Sequence, residues 1–348
     1  MKRYPSILLC CLLAVMCGCG PTPAVEETRT LFLMDTYMEL RCFGENAQAA
    51  LDACAEEAAR LDALFSATNA ASDVSRMNEA AGTLVAVDET TLELLSRAKL
   101  LSVITGGAFD PALRTLITAW GFTEPKQSVP SSDVLDALLP VPGESAIRIE
   151  GSFAAVDPPA GVDLGGIAKG YCGERLHALL CSYGIESALL SLGGNIEAIG
   201  TRQDGTPWRV GIQDPTDASA IIGVLELTDC AAVTSGGYQR YFEEDGVRYH
   251  HILDPKTGYP ADSGLLSVTV VSKSGTEADA LSTAFFILGL DCSLALIRSG
   301  AVDCEAVFVL SDHSVFCTNN AIFTSANNSF RWVFSNSNGL LARRQKSR

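Results

Sequence analysis

Positive charge is scarce in this sequence: 25 Lys and Arg stand against 41 Asp and Glu in 348 residues, a net charge of −16. So acidic a chain offers no broad footprint for a nucleic-acid backbone, and any phosphate it binds must be held locally by a helix terminus, one lysine or a metal ion. Metal-binding and redox cysteine patterns are missing too. None of the 12 cysteines stands in a C-x-x-C pair, which removes zinc ribbons and thioredoxin-like motifs. There is no Gly-Lys-Ser/Thr P-loop, no G-x-G-x-x-G fingerprint and no internal repeat. What is plentiful is apolar material, 47% of the residues, enough to bury a full core in one large domain or two ordinary ones.

The N-terminus carries Lys2 and Arg3 before an apolar run over residues 7–16 that is too short to span a bilayer as a stable helix. It reads as an export signal. Its end, Met16-Cys17-Gly18-Cys19, resembles a bacterial lipoprotein signal with Cys19 as the acylated residue, which implies an extracytoplasmic protein held to the cell membrane by lipid alone. The expected division is a signal peptide at 1–19, a polar tether at 20–30, one domain at 31–325 and a C-terminal tail at 326–348. Cys10, Cys11, Cys17 and Cys19 belong to the signal; the other eight are scattered among mostly apolar neighbours and are expected as buried free thiols.

The stretch VDLGGIAKGY, residues 162–171, has the strongest local pattern. Asp163 closes an extended run, Gly165 and Gly166 let the backbone approach a ligand, and Lys169 lies inside a helix running through Cys172, Leu176 and Leu180 to a stop near Gly184. A helix N-terminus with a lysine beside it favours an anion. Before it, alternation predicts a strand over 31–41, and apolar spacing predicts helices over 45–65 and 92–103. In GAFDPAL, residues 107–113, Pro111 fits a first helical turn, with Asp110 as N-cap and Ala108 and Phe109 at a loop tip. Residues 127–143 read as an insertion or linker. After the central helix come short strands at 187–192, 196–201, 208–213, 221–227, 247–253 and 265–271, and then a helix over 277–288. Strand runs beside segregated helices indicate an α+β fold with mixed or antiparallel sheets and packed helices. In the last helix Asp279 and Thr283 stand one turn apart, hard oxygen donors of the kind Mg²⁺ accepts.

Taken in order, MDT, GAFDPAL with WGF, VDLGGIAKGY, SLGGNI, VTSGGYQRYF, HHILDPKTGYP and EADALSTAFFILG resemble the ApbE family of FAD:protein FMN transferases. The resemblance implies a single T-fold-related catalytic domain that takes FAD as substrate with Mg²⁺ as cofactor. Such a domain attaches FMN through a phosphoester to a Thr or Ser of an exported redox protein and releases AMP. Carried over by motif, Met34, Ala108, Phe109, Asp110, Asp163, Lys169 and the backbone at Ile252 would contact FAD. Asp279 and Thr283 would hold the metal, with the carbonyls of Gly166 and Ser282, and His251 would serve as base. Many members have a tyrosine where Thr68 stands, a departure that leaves open an FAD pyrophosphatase giving FMN and AMP. A non-enzymatic flavin-binding lipoprotein is a third possibility.

Overall fold

The computed structural model describes residues 25–123, 126–139, 141, 143–318, 323–326, 330–335 and 341–343. The signal segment, Cys19 and the first residues of the tether lie outside them. The frame is a ten-stranded sheet, ordered Glu26–Leu33, Thr36–Phe43, Ser187–Leu192, Asn195–Gly200, Cys230–Gly236, Leu265–Ser272, Glu305–Leu310, Ser314–Cys317, Arg331–Ser335, Leu341–Arg343. Neighbouring strands run antiparallel except Ser314–Cys317 with Arg331–Ser335. The α+β expectation holds.

Side-chain alternation explains why both faces of the sheet are covered. On Cys230–Gly236, Ala231 and Val233 join the larger core while Ala232 faces a second one; on Glu305–Leu310, Ala306 and Phe308 face the first and Val307 and Val309 the second. Helices Ala47–Phe65, Ala168–Ser182 and Gly275–Arg298 fill the first side. A three-stranded sheet including Trp208–Asp214 and Asp217–Leu227 covers the other, with Trp208, Ile222 and Leu225 buried against the frame. Gly275–Arg298 is the one helix among the described residues that is long and apolar enough to cross a membrane. It is broken at Gly289, where φ is 75°, and it packs on the sheet as a core element.

Three expectations about the chain are corrected. The strand expected over 31–41 is a hairpin: Met34 and Asp35 both take left-handed φ, 51° and 56°, and Leu33 pairs with Thr36. Without an Asn-Gly or Asp-Gly pair at the bend, the alternation ran through it unbroken. The domain's first strand begins at Glu26, inside the expected tether, and residues 331–335 and 341–343 of the expected tail complete the sheet edge. Residues 127–143 are no linker: helix Ser132–Leu138 buries Leu135 with Leu116, Trp120, Phe122 and Leu253 in a third apolar cluster. The thiol expectation holds for Cys42, Cys54, Cys172, Cys304 and Cys317, which are buried and free, whereas Cys181 and Cys292 are exposed.

Two glycines set the crossing that positions the site. A Cβ on Gly170 would lie 2.1 Å from the Gly275 carbonyl oxygen, and one on Gly275 would lie 2.7 Å from that of Gly170. Only with hydrogen at both places do the Ala168–Ser182 and Gly275–Arg298 helices approach this closely. The N-terminus of the second helix is tied down by Glu174, whose carboxylate accepts from Arg97, Ser274 Oγ, Thr276 N and Thr276 Oγ1.

Candidate active site

The crossing brings Asp279 beside the start of the Ala168–Ser182 helix, where its Oδ2 accepts a 2.8 Å hydrogen bond from Gly170 N. Asp279 is buried, and its Oδ1 takes no hydrogen bond among the described residues. Thr283, one turn on, faces Gly166, where a Cβ would sit 3.5 Å from its Oγ1. Lys169 is the second residue of the helix and its Nζ donates to Gly165 O at 3.1 Å. The glycine turn leads into the helix as expected, although only an isolated bridge at Gly161 and no strand immediately precedes it: Asp163 Oδ1 accepts from Gly165 N, Ile167 N and Ala168 N bond to Leu164 O, and Ile167 offers no side-chain cap.

These groups open onto a cavity of about 550 Å³, within the usual range for a small-molecule site. Met34, Ala108, Phe109, Asp110, Asp163, Gly166, Lys169, His251, Ile252, Asp279 and Thr283 all line it, as does Thr68. Met34 stands on the hairpin bend, its N–H bonded to Asp62 Oδ1 at 3.1 Å. Asp110 does not cap a helix. Its Oδ1 accepts from Ala112 N in a tight turn and the helix starts later, at Arg114–Ala119; burial pushes its carboxyl above the ordinary aspartate range. Phe109 is buried, with its ring edge 3.3 Å from where a Gly166 Cβ would be, so it serves core and cavity wall together. Ser282 is not in the wall: fully buried, its hydroxyl donates to Asp279 O and meets Ser235 Oγ, both at 2.8 Å.

The histidines sort themselves by partners. His250 spends both ring nitrogens on the fold, one bonded to Ala261 O and the other accepting from Ile252 N. His177 binds Glu197 Oε1 at 2.7 Å, and His313 stacks on Phe330. His251 uses only Nδ1, against Arg240 O at 3.1 Å, which makes Nδ1 the protonated nitrogen and leaves the Nε2 lone pair without a partner among the described residues. Burial, with the positive charges of Arg240 and Lys169 nearby, pushes its pKa down to about 4.

Among the described residues no group of three or more His, Cys, Asp or Glu converges. A cation held by the Asp279 carboxylate with hydroxyl and carbonyl oxygens would have an all-oxygen set, which suits Mg²⁺ completed by phosphate and water and not thiolate-bound zinc. Asp279 and Thr283 with the Gly166 carbonyl fit that description. Several wall residues carry no expected role: Arg114, Thr123, Asn195, Gln239 and Arg240. Asn195, Gln239 and Arg240 stand inside the motifs SLGGNI and VTSGGYQRYF, the one signal that pointed to them.

A family model described as the ApbE family matches residues 34–308. The chain belongs to that family. An FAD:protein FMN transferase of Treponema pallidum is 35% identical over 332 residues, covering 88% of this chain and 91% of its own. One of Klebsiella pneumoniae is 36% identical, covering 74% and 80%. Among solved structures, the ApbE protein of Thermotoga maritima superposes with a TM-score of 0.78 at 32% identity, covering 88% of this chain and 98% of its own. The flavinyl transferase ApbE of Pseudomonas stutzeri gives 0.75 at 31%, covering 88% and 96%. The ApbE-family fold thus spans nearly the whole described chain.

Proposed function

We propose that this ApbE-family protein transfers FMN from FAD to a Thr or Ser hydroxyl of an exported redox protein, with Mg²⁺ as cofactor and AMP as the released product. The observation that carries the proposal is the meeting of Lys169 at a helix N-terminus, the Asp279–Thr283 pair and the unpartnered Nε2 of His251 in one cavity of about 550 Å³. In this scheme the acceptor hydroxyl attacks the FMN phosphorus of FAD, its proton passes to His251 Nε2, and the P–O bond to AMP breaks. Phosphoryl transfer depends on positioning and charge neutralisation, and Lys169 at the positive end of its helix would supply both at the phosphates. Asp279, Thr283 and the Gly166 carbonyl would hold Mg²⁺, which when bound neutralises developing phosphate charge. Cys19 would anchor the enzyme to the outer face of the cell membrane, where exported acceptors are met.

Thr68 favours a second outcome in the same site. It lines the cavity where many members place a tyrosine, and its hydroxyl, 3.2 Å from Ser66 Oγ, offers no stacking surface. A looser flavin admits water as acceptor, giving FMN and AMP. Incubating the soluble domain with FAD, Mg²⁺ and a tagged acceptor carrying an S/T-G-A-T type site separates the outcomes by in-gel flavin fluorescence. A fluorescent acceptor band is the expected result, free FMN without a band indicates hydrolysis, and unconsumed FAD leaves only a flavin-binding lipoprotein.

A further inference from the structure

Five buried side-chain polar atoms lack a hydrogen-bond partner among the described residues: Arg41 Nε, Arg114 Nη1, Thr123 Oγ1, Asn195 Nδ2 and Ser267 Oγ. The residues of three of them, Arg114, Thr123 and Asn195, line the active-site cavity. Leaving a buried donor unsatisfied costs about 1 to 3 kcal/mol, so such groups persist where something else completes them. Asn195 is the most enclosed of the three, 5% exposed.

Its position is fixed by backbone. Gly193 and Gly194, with φ of 60° and 95°, make the two-residue turn joining Ser187–Leu192 to Asn195–Gly200, and Asn195 pairs with Leu192 on one side and Val233 on the other. Gly193 N bonds to Tyr37 O, so the turn is held against the first hairpin. Alternation puts Asn195 on the same face as Glu197, the face against which Gly173 of the Ala168–Ser182 helix packs. Asn195 also borders, with Lys169, Gly170 and Gly275, the small crevice where the two helices cross. The unpartnered amide therefore shares a crevice with Lys169 on the first turn of the anion-favouring helix.

We propose that Asn195 is a ligand-contacting residue, its side-chain amide donating a hydrogen bond to a phosphate oxygen of the nucleotide that Lys169 holds. The proposal rests on the flavin-nucleotide function above and adds a neutral donor to the phosphate cradle. A neutral amide suits a site that must also release a charged product, because it orients an oxygen without adding a second full charge.

The test compares ligands with and without phosphate, using Asn195→Asp, which keeps shape and replaces the donor by an acceptor, and Asn195→Ala. Affinities are measured without added metal, for FAD against riboflavin by flavin fluorescence and for ADP against adenosine by calorimetry, with melting temperatures as the folding check. The expected result is at least a tenfold loss of FAD and ADP affinity in Asn195→Asp, a smaller loss in Asn195→Ala, and riboflavin and adenosine within twofold of wild type. Equal losses with and without phosphate would make Asn195 a packing residue and overturn the proposal, as would FAD affinity within twofold in both variants. Wild-type protein that binds neither FAD nor riboflavin would instead remove the flavin function itself.

Discussion

The floor and the wall of the cavity are built on opposite rules. On and beneath the floor polar groups are tied to one another: Asp279 Oδ2 to Gly170 N, Ser282 Oγ to Asp279 O and Ser235 Oγ, and, behind the cavity at the start of the Gly275–Arg298 helix, Glu174 to Arg97, Ser274 and Thr276. On the wall they are loosely held or unpaired: Lys169 reaches only a turn carbonyl, His251 leaves one nitrogen unused, Arg114 Nη1 has a 3.6 Å ion pair with Asp163 but no hydrogen bond, and Asn195 Nδ2 and Thr123 Oγ1 have no hydrogen-bond partner among the described residues. The difference separates groups that define geometry from groups kept for a ligand. A floor that moved would misplace the Asp279 carboxylate, whereas a wall fully satisfied by protein would have nothing left to offer.

Breaking the floor at its charged centre is expected to have the largest effect. Asp279→Ala removes the one charged ligand of the proposed metal set and should abolish Mg²⁺-dependent turnover while the protein remains folded, as checked by circular dichroism alongside turnover across a Mg²⁺ titration. Thr283→Val should be milder, because one neutral oxygen is lost. Near-normal turnover of Asp279→Ala at low Mg²⁺ would place the cation elsewhere.

Breaking the wall at Lys169 comes next. Charge grows on the leaving phosphate as the bond breaks, so Lys169→Ala should lower turnover at saturating FAD as well as affinity. Loss of one such contact is commonly about 2 to 4 kcal/mol, or roughly 30- to 1000-fold in rate. Lys169→Arg should recover only part of this, since a planar guanidinium does not replace a compact ammonium among backbone amides. Both variants should melt within a degree or two of wild type, because the lysine's one bond is to a turn carbonyl. Unchanged binding and turnover in Lys169→Ala would make it a solvated surface residue.

A smaller effect, on stability, should come from Glu174. Burial works against its charge, but Arg97, Ser274 and Thr276 outweigh it and hold its pKa at about 2, down from 4.5. Its stabilisation is therefore complete above pH 4.5 and lost as pH falls through about 2. The side chain is a third exposed, so solvent screening limits the contribution to about 1 to 2 kcal/mol. Glu174→Gln should lower the melting temperature at pH 7, with the gap to wild type closing toward pH 2. A constant gap would mean that the loss is one of packing and not of charge.

How much of this was legible in the sequence follows the same division. The helix at 168–182 and its glycine turn, the strands at 187–192 and 265–272, and the Asp279–Thr283 pair declare themselves by period and spacing, because each is a local pattern. The Gly170–Gly275 contact does not, since nothing local marks two glycines 105 positions apart as a crossing. Asn195 stood inside a quoted motif without a role because its significance is an absence, a donor left unpaired, which only packing reveals. His250 and His251 are adjacent and chemically alike in the sequence; their hydrogen bonds make one structural and the other available.

The finest test of the contrast is the acid limb of the pH profile. An ordinary histidine, with a pKa near 6.5, would be neutral in only about a tenth of molecules at pH 5.5, costing roughly tenfold in kcat/KM if it is the base. His251, pushed down to about 4 by burial and neighbouring positive charge, should stay almost wholly neutral there. The free-enzyme profile should therefore lose less than about twofold between pH 7 and 5.5, with its acid limb near 4. The same shift has the opposite value for the fold: the unfolded chain takes up the proton between pH 6.5 and 4 and the native site refuses it, so stability falls with pH across that window. His251→Gln, which cannot titrate, should remove this stability slope and also lose turnover, whereas a base elsewhere in the site would leave turnover in place. An acid limb at 6 to 7 that persists in His251→Gln would assign the proton transfer to another group and return His251 to the wall as packing.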